Sequence, residues 1–151
     1  MSNDARVEKA MPYDLPILNQ ISVESKMHWG YPLDWLQNWV ETLRITRKFL
    51  EENHVYKIST DRIIGFCAIV KKPDAYEVIH LWIAPKYIGK GYGKKLLQET
   101  LQIVVMEKSE VIVESDPNSE KFYQSQGFKT FGQRESYPKG RFLPLMKRVF
   151  P

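Results

Sequence analysis

Glycine occupies alternate positions from Gly89 to Gly93, between a strand-like segment and a helix-like one. Residues 77–84 are rich in β-branched and aromatic side chains and are followed by Pro85, which is typical of a buried strand. Behind the glycines, leucine and valine recur at helical spacing, so we expect a helix to begin near Gly91. First-turn amides have no intrahelical acceptor, and the helix dipole adds positive charge there. Because glycine lets an anion approach the backbone closely, we predict a diphosphate site.

This loop matches neither of two common phosphate-binding patterns. The Walker pattern requires glycine at Ile88 and a hydroxyl residue at Lys95, and the dinucleotide fingerprint requires glycine at Lys94. The mismatches argue against a nucleotide hydrolase and a dinucleotide-binding enzyme. Four lysines nevertheless surround the loop with positive charge: Lys86, Lys90, Lys94 and Lys95. A glycine-rich turn without a ligand remains the alternative for this motif taken alone.

A second motif lies at residues 116–128, where Asp116 and Pro117 are typical of a helix start and Gly127 of a helix end. Together the two motifs resemble the signatures of the GCN5-related N-acetyltransferase (GNAT) family, Q/R-x-x-G-x-G/A and N-x-x-A-x-x-F-Y-x-x-x-G-F. The second signature is matched at Phe122, Tyr123, Gly127 and Phe128. The chain departs from the two signatures at Ile88, Asp116 and Ser119. Two motifs in this order are far more specific than either alone.

The resemblance implies an α/β (α+β) fold, the GNAT acyl-CoA N-acyltransferase fold. In that fold a mixed, mostly antiparallel central sheet of about seven strands is flanked by helices and splayed between strands 4 and 5. It also implies a single domain over residues 1–151. Apolar patterns and turn residues place the strands near residues 7–11, 54–59, 63–71, 77–84, 110–114, 129–136 and 142–150. They place helices near residues 14–26, from residue 32, at 91–109 and at 116–127.

The cofactor-binding residues are implied by the same resemblance. In the family, the loop amides hold the pyrophosphate of acetyl-coenzyme A (acetyl-CoA), and here the loop residues are Ile88, Gly89, Lys90, Gly91, Tyr92, Gly93 and Lys94. The backbone of Leu81, Trp82 and Ile83 would pair with the pantetheine arm like an added strand and polarise the thioester carbonyl. Asn118 would reach the pantetheine amides, although a solvent-facing helix cap is an alternative.

Tyr123 falls where the family places a tyrosine beside the cofactor sulfur, so the resemblance implies that it is both a cofactor-binding residue and the general acid. A tyrosine titrates near ~10 and a thiol near ~8.5, which means that this donor can assist the departing thiolate. A core tyrosine that donates a structural hydrogen bond is the alternative.

The resemblance implies a general base at Glu77, where the histone-acetylating branch keeps a glutamate. His80 is the other candidate, because its imidazole is a natural proton acceptor. In either case a chain of water molecules would carry the proton to the base. In a regular strand these two side chains would face opposite sides. A structural histidine is the alternative for His80. The base of the branch that acetylates protein N-termini falls at Val111, which cannot serve, and this argues against that activity.

The aromatic segment between the first two helices is the candidate acceptor site. His28, Trp29 and Tyr31 lie between a helix and a proline, which suits a loop folded back on the protein. In acetyltransferases of this type that loop lines the acceptor pocket, so the resemblance implies an aromatic acceptor site rather than a strongly anionic one. A hydrophobic lid anchored to the core is the alternative.

The composition limits the classes of protein that the chain can represent. Its 22 basic and 18 acidic residues suit a polyanionic cofactor but lack the density typical of nucleic-acid binding. The single cysteine, Cys67, excludes an internal disulfide and a cysteine-rich zinc site, and we expect no metal. No apolar run approaches membrane-spanning length and the first residues lack an apolar signal segment, so we expect a cytoplasmic protein without a membrane partner.

We therefore predict an acetyl-CoA-dependent N-acetyltransferase. It would transfer the acetyl group to the primary amine of a small molecule by direct attack in a ternary complex. A CoA-binding module without catalysis and a protein or peptide amine acetyltransferase are the alternatives, and a homodimer stays open.

Overall fold

One seven-stranded mixed sheet forms the centre of the protein in the computed structural model, which describes residues 4–150. The strands are β1 Arg6–Lys9, β2 His54–Ser59, β3 Ile63–Lys71, β4 Ala75–Ile83, β5 Ser109–Glu114, β6 Lys129–Ser136 and β7 Arg141–Phe150. Their order is β1-β2-β3-β4-β5-β7-β6, and every pair is antiparallel except β4 with β5. The expected fold class is confirmed. The predicted domain, 1–151, also includes residues 1–3 and 151, which lie outside the described residues.

Helices cover both faces of the sheet. They are α1 Leu15–Met27, α2 Leu33–Leu43, α3 Arg47–Glu52, α4 Tyr92–Val104 and α5 Glu120–Ser125. On one face, α4 and α5 bury apolar side chains with Cys67 and Ile69 of β3. On the other face, α1 and α3 pack against Phe66 and Ala68 of the same strand. Within residues 4–150, none of these helices combines the length and the apolarity that a membrane span requires.

The helix α4 ends earlier than its sequence pattern predicts. It stops at Val104 instead of near Ser109, because Val105 adopts an extended conformation with φ −89° and ψ 97°. Val105 is nevertheless buried, so its apolar side chain fills the core from a loop. The helical spacing of apolar residues therefore overestimated the length of α4, because Val105 can be buried without a helical backbone.

The sheet separates between β4 and β5. These neighbours pair only from Ala75 to Val78, opposite residues 110–113, although β4 continues to Ile83. The register between β3 and β4 shifts next to Ile79, which has no partner on β3. Beyond β5 the chain enters a 3₁₀ turn, Pro117–Ser119, instead of following β4. The second half of β4 therefore borders a cleft on its β5 side.

Gly65 on β3 allows a close approach to the end of β4, and this gives a test of the packing. A Cβ atom at Gly65 would lie 2.6 Å from Trp82 O and 2.6 Å from Ile83 Cδ1. We expect Gly65→Ala to lower the free energy of unfolding by about 2–3 kcal/mol, measured by urea denaturation. Gly132→Ala is the matched control, because its Cβ would meet only Leu145 Cδ1 at 3.7 Å. Equal stability of the two variants would contradict this reading of the packing.

Candidate functional site

The loop between β4 and α4 reverses the chain at two glycines. A 3₁₀ turn, Pro85–Tyr87, comes first, and Gly89 and Gly91 then adopt φ angles of +81° and +87°. L-residues with side chains rarely adopt this region, so glycine is required at both positions. The ring of Tyr87 meets the buried ring of Tyr92 edge-on at 6.2 Å, and this contact anchors both ends of the loop.

The backbone amides of this loop are free to bind a ligand. Ile88 N donates to Pro85 O at 3.3 Å, and the next amide with an acceptor is that of Lys95, which donates to Gly91 O at 3.2 Å. Among residues 4–150, no group accepts a hydrogen bond from the amides of residues 89–94. A row of unbonded amides before a helix of 13 residues is a strong anion site.

A cavity of about 400 Å³ lies beside these amides, between the end of β4 and α5, and we call it the loop cavity. Ten of the predicted cofactor-binding residues line it: Leu81, Trp82, Ile83, Ile88, Gly89, Gly91, Gly93, Lys94, Asn118 and Tyr123. The other two, Lys90 and Tyr92, do not line it, since Lys90 is exposed to solvent and the Tyr92 ring is buried in the core. The structure thus brings most of the predicted set together around one space.

A second cavity, of about 170 Å³, occupies the cleft between β4 and β5, and we call it the splay cavity. It shares Leu81, Trp82, Ser119 and Tyr123 with the loop cavity. The two cavities therefore meet where β4 ends and α5 begins. This arrangement can bring two different molecules together from opposite sides.

Tyr123 stands at that junction. Its side chain is held edge-on between Phe122, at 5.3 Å, and Phe128, at 5.4 Å, and the residue is 5% exposed. Among the described residues, its hydroxyl makes no hydrogen bond, although the residue lines both cavities. Burial raises the pKa of Tyr123. Its phenol therefore stays protonated at neutral pH and can donate a proton or a hydrogen bond.

Glu77 and His80 lie on the same face of β4, contrary to the expectation for a regular strand. Tyr76 and Val78 pack into the core beneath α4, so Glu77 between them faces the other side. His80 also faces that other side, where its ring lies 5.9 Å from that of Phe66. The irregularity next to Ile79 shifts the alternation by one residue, and sequence periodicity contains no sign of it.

Each of the two predicted bases already has a partner among the described residues. Glu77 lines neither cavity, and its Oε1 lies 2.8 Å from Lys72 Nζ. His80 lines the splay cavity, but its Nδ1 accepts a hydrogen bond of 3.0 Å from Trp82 Nε1. Burial lowers the pKa of His80 to about 4. The imidazole is thus neutral, and the one nitrogen that can accept a proton is already occupied.

Asp116 is the centre of a buried polar cluster. Its Oδ2 lies 2.5 Å from Lys26 Nζ and 3.2 Å from Arg141 Nη2. Tyr31 donates its hydroxyl to the same carboxylate at 3.0 Å, and Asn118 donates its backbone N–H at 2.8 Å. Burial would raise the pKa of Asp116, but the charge and hydrogen bond of Lys26 keep it lowered. Burial lowers the pKa of Lys26, although Asp116 opposes that shift.

The three predicted acceptor-site residues do not line one common cavity. Trp29 lines the loop cavity, and Tyr31 belongs to the Asp116 cluster. His28 is exposed, contacts Trp29 edge-on at 5.1 Å and lines neither cavity. Sequence reasoning missed Lys26 and Arg141, which line the splay cavity. No local signal distinguishes them, because they come from segments more than 100 residues apart in the chain.

The described residues contain no group of three or more histidine, cysteine, aspartate or glutamate side chains arranged to hold a metal ion.

Comparisons with known proteins agree with this geometry. Residues 32–149 match the acetyltransferase (GNAT) domain family. The chain is 26% identical over 125 residues to the peptidyl-lysine N-acetyltransferase YiaC of Escherichia coli (strain K12), covering 81% of this chain and 82% of YiaC. The PaiA N-acetyltransferase from Thermoplasma acidophilum, in complex with coenzyme A, superposes with a TM-score of 0.79 and 21% identity over 99% of this chain and 100% of that one. A GCN5-related N-acetyltransferase from Rhodopseudomonas palustris superposes with a TM-score of 0.80 and 18% sequence identity, covering 99% of this chain and 98% of that one.

The burial of His80 predicts a pH dependence of stability. Its folded pKa, about 4, is below the unfolded value of about 6.5, so the unfolded chain takes up the proton first. The contribution of neutral His80 to the free energy of unfolding is complete above about pH 6.5. It falls by roughly 3 kcal/mol as the pH decreases toward 4. We expect His80→Gln to flatten the decline in unfolding free energy across this range, measured by urea denaturation. His28→Gln, which changes an exposed histidine, should leave the decline as it is in the wild type.

Proposed function

The chain belongs to the GNAT acetyltransferase family, and from this premise we propose that it acetylates the primary amine of a small molecule with acetyl-CoA. The resemblance noted in the sequence is thereby confirmed at the level of the family. The observation that carries the proposal is the row of unbonded amides at residues 89–94, which opens into the cavity that reaches Tyr123. Reaction would proceed by direct attack of the amine while both substrates are bound.

The loop cavity can hold both the diphosphate and the pantetheine arm of the cofactor. The amides of residues 89–94 would hold the diphosphate, and Lys94 adds a positive charge at the cavity wall. The side of β4 that faces β5 is unpaired beyond Val78, so the pantetheine arm can pair there as a strand would. Ile88 cannot supply the side-chain contact of Gln or Arg, but the backbone donors do not depend on it. The coenzyme A in the similar PaiA structure supports this assignment.

Acetyl transfer needs a proton donor at the departing sulfur. The amine nitrogen forms a bond to the acetyl carbon and becomes positively charged, the carbon–sulfur bond breaks, and the sulfur leaves with the electron pair. The nitrogen then releases one proton, which replaces the proton that the thiolate takes up. Tyr123 lines both cavities, has a free hydroxyl and stays protonated, so it can donate its proton to the thiolate. A buried phenol is a weaker acid than a thiol, which limits its contribution to a modest part of the rate.

The acceptor amine must lose a proton before it attacks. We infer that neither Glu77 nor His80 takes this proton, because Glu77 is paired with Lys72 outside the cavities and the acceptor nitrogen of His80 already accepts a hydrogen bond from Trp82. We infer instead that the amine gives its proton to water on entry. Lys26 and Arg141 line the splay cavity, and their positive charge disfavours the ammonium form there.

The size of the splay cavity, about 170 Å³, favours a small acceptor. A peptide lysine is the second candidate, and the 26% identity to the peptidyl-lysine acetyltransferase YiaC favours it. A screen with acetyl-CoA, a panel of small amines and a set of lysine peptides, followed by thiol release, separates the two. Turnover of small amines alone supports the proposal, whereas turnover confined to peptides overturns it.

A negative side chain in the glycine loop should prevent cofactor binding. We expect Gly93→Glu to weaken CoA binding by about 100-fold or more in isothermal titration calorimetry, because it places bulk and like charge beside the unbonded amides. A Cβ at Gly93 meets only Phe122 and Ile83 at 3.5 Å or more, so the fold should tolerate it. Gly132→Glu adds the same side chain on β6, outside both cavities, and should bind CoA as the wild type does. Equal affinity of the two variants would place the diphosphate elsewhere.

Removal of the Tyr123 hydroxyl should slow turnover without weakening CoA binding. In Tyr123→Phe the aromatic contacts to Phe122 and Phe128 remain, and no partner loses a hydrogen bond. We expect kcat to fall about 10- to 100-fold, measured by thiol release, with the CoA dissociation constant changed less than about threefold. An unchanged kcat would exclude Tyr123 from the proton transfer.

A further inference from the structure

We propose that the splay cavity binds a carboxylate on the acceptor, so that the acceptor is an amino acid or another small amine with a carboxylate. Lys26 and Arg141 would bind that group, and the amine would lie near Tyr123. This inference rests on the proposed function, because it specifies the substrate of the same site.

The buried charges around the splay cavity do not balance. The side chains of Lys26 and Arg141 are each 10% exposed, and Asp116, at 9%, is the carboxylate that pairs with both. The other charged residue among those that line the cavity is Glu114, and Arg134 binds it through bonds of 2.8 and 3.0 Å. Two cations and one carboxylate leave one positive charge without a counterion. A buried charge of this kind is costly unless a ligand compensates it.

Within residues 4–150, Lys26 and Arg141 also have hydrogen-bond donors without acceptors. Both oxygens of Asp116 are fully engaged by neighbouring donors. Lys26 has three N–H bonds, and within residues 4–150 its only acceptor is Asp116. Arg141 uses Nη2 for Asp116 and Tyr31, its Nη1 reaches Ser136 only at 3.5 Å, and its Nε has no acceptor within the described residues. These spare donors belong to residues that line the cavity, where a carboxylate can accept from both cations.

Both cations are also held in place before a ligand arrives. Trp39 lies under both, with its ring 4.5 Å from Lys26 Nζ and 4.6 Å from Arg141 Cζ. The ring of Tyr31 lies 5.0 and 5.1 Å from the same two groups. Cation–π contacts and the bonds to Asp116 restrain long side chains that would otherwise lose rotamer freedom on binding. The cluster is therefore a preorganised anion site.

The position of the site indicates which anion it binds. The cavity, about 170 Å³, has the cations in its wall and meets the loop cavity at Tyr123. A molecule that fills it must carry the anionic group and the reacting amine close together. One excess positive charge matches a carboxylate, whereas a phosphate dianion would leave a buried negative charge. A peptide lysine brings no carboxylate next to its amine, so the cluster would remain uncompensated.

The decisive experiment compares each acid with its own carboxamide. Glycine, alanine, 3-aminopropanoate and 4-aminobutanoate would be assayed with acetyl-CoA beside the four matching primary amides, spermidine and a lysine peptide. We expect kcat/KM for the best acid to exceed that for its amide by about 10- to 100-fold. Amides that react as well as the acids, or spermidine or the peptide as the best acceptor, would overturn the inference. Absence of turnover with every amine would instead contradict the proposed function.

A variant pair locates the preference at the cluster. Arg141→Gln should raise KM for the acid about tenfold or more while KM for the amide stays nearly constant, and Arg141→Lys should restore part of the preference. Lys147→Gln removes an exposed cation from the same strand, outside both cavities, and should keep the full preference. If Arg141→Gln does not fold, inhibition of the wild type by butanoate but not by butanamide still tests the site. Equal inhibition by the two compounds would refute it.

Discussion

Both cavities depend on the early separation of β4 from β5. The two strands pair in parallel only as far as Val78. Ile79 then interrupts the register between β3 and β4, and the 3₁₀ turn that begins at Pro117 carries the chain after β5 away from β4. Parallel neighbours that separate at their carboxyl ends open a cleft in α/β sheets generally. Had the pairing continued to Ile83, strand backbone would fill the space that now lies on both sides of Tyr123. The site is therefore a consequence of sheet topology before it is a consequence of side chains.

The two ends of this site use different kinds of donor. At the loop end, the donors are backbone amides of residues 89–94, which the turn at Gly89 and Gly91 leaves unbonded. Backbone donors survive most substitutions, and for that reason the departure at Ile88 leaves these donors in place. At the splay end, the donors are the side chains of Lys26 and Arg141, whose placement depends on Asp116. Loss of one side chain can therefore disrupt the second set of donors, whereas the first set does not depend on any one side chain.

Local patterns predicted the parts of this structure that are built from local chemistry. Glycine spacing was sufficient for the loop, and this loop together with the motif around Tyr123 was sufficient for the family. The failures have nonlocal causes: Val105 ends α4 early because it can fill the core from a loop, and the irregularity at Ile79 places Glu77 on the same face as His80. The Asp116 cluster joins α1, the turn after β5 and the start of β7, and no pattern within one segment predicts such a meeting.

The charge of the splay cavity also bears on how the amine becomes reactive. The acceptor amine of an acetyltransferase must lose its ammonium proton before it attacks, which usually suggests a general base. In the proposed site Asp116 holds Lys26 and Arg141 in place and pairs with both, which leaves one positive charge for a ligand to compensate. That charge attracts a carboxylate, and until the carboxylate binds it also disfavours an ammonium group in the cavity. An acceptor that enters with an ionised acid and a neutral amine needs no base before the attack, and the proton that its nitrogen releases afterwards balances the one that the thiolate takes up.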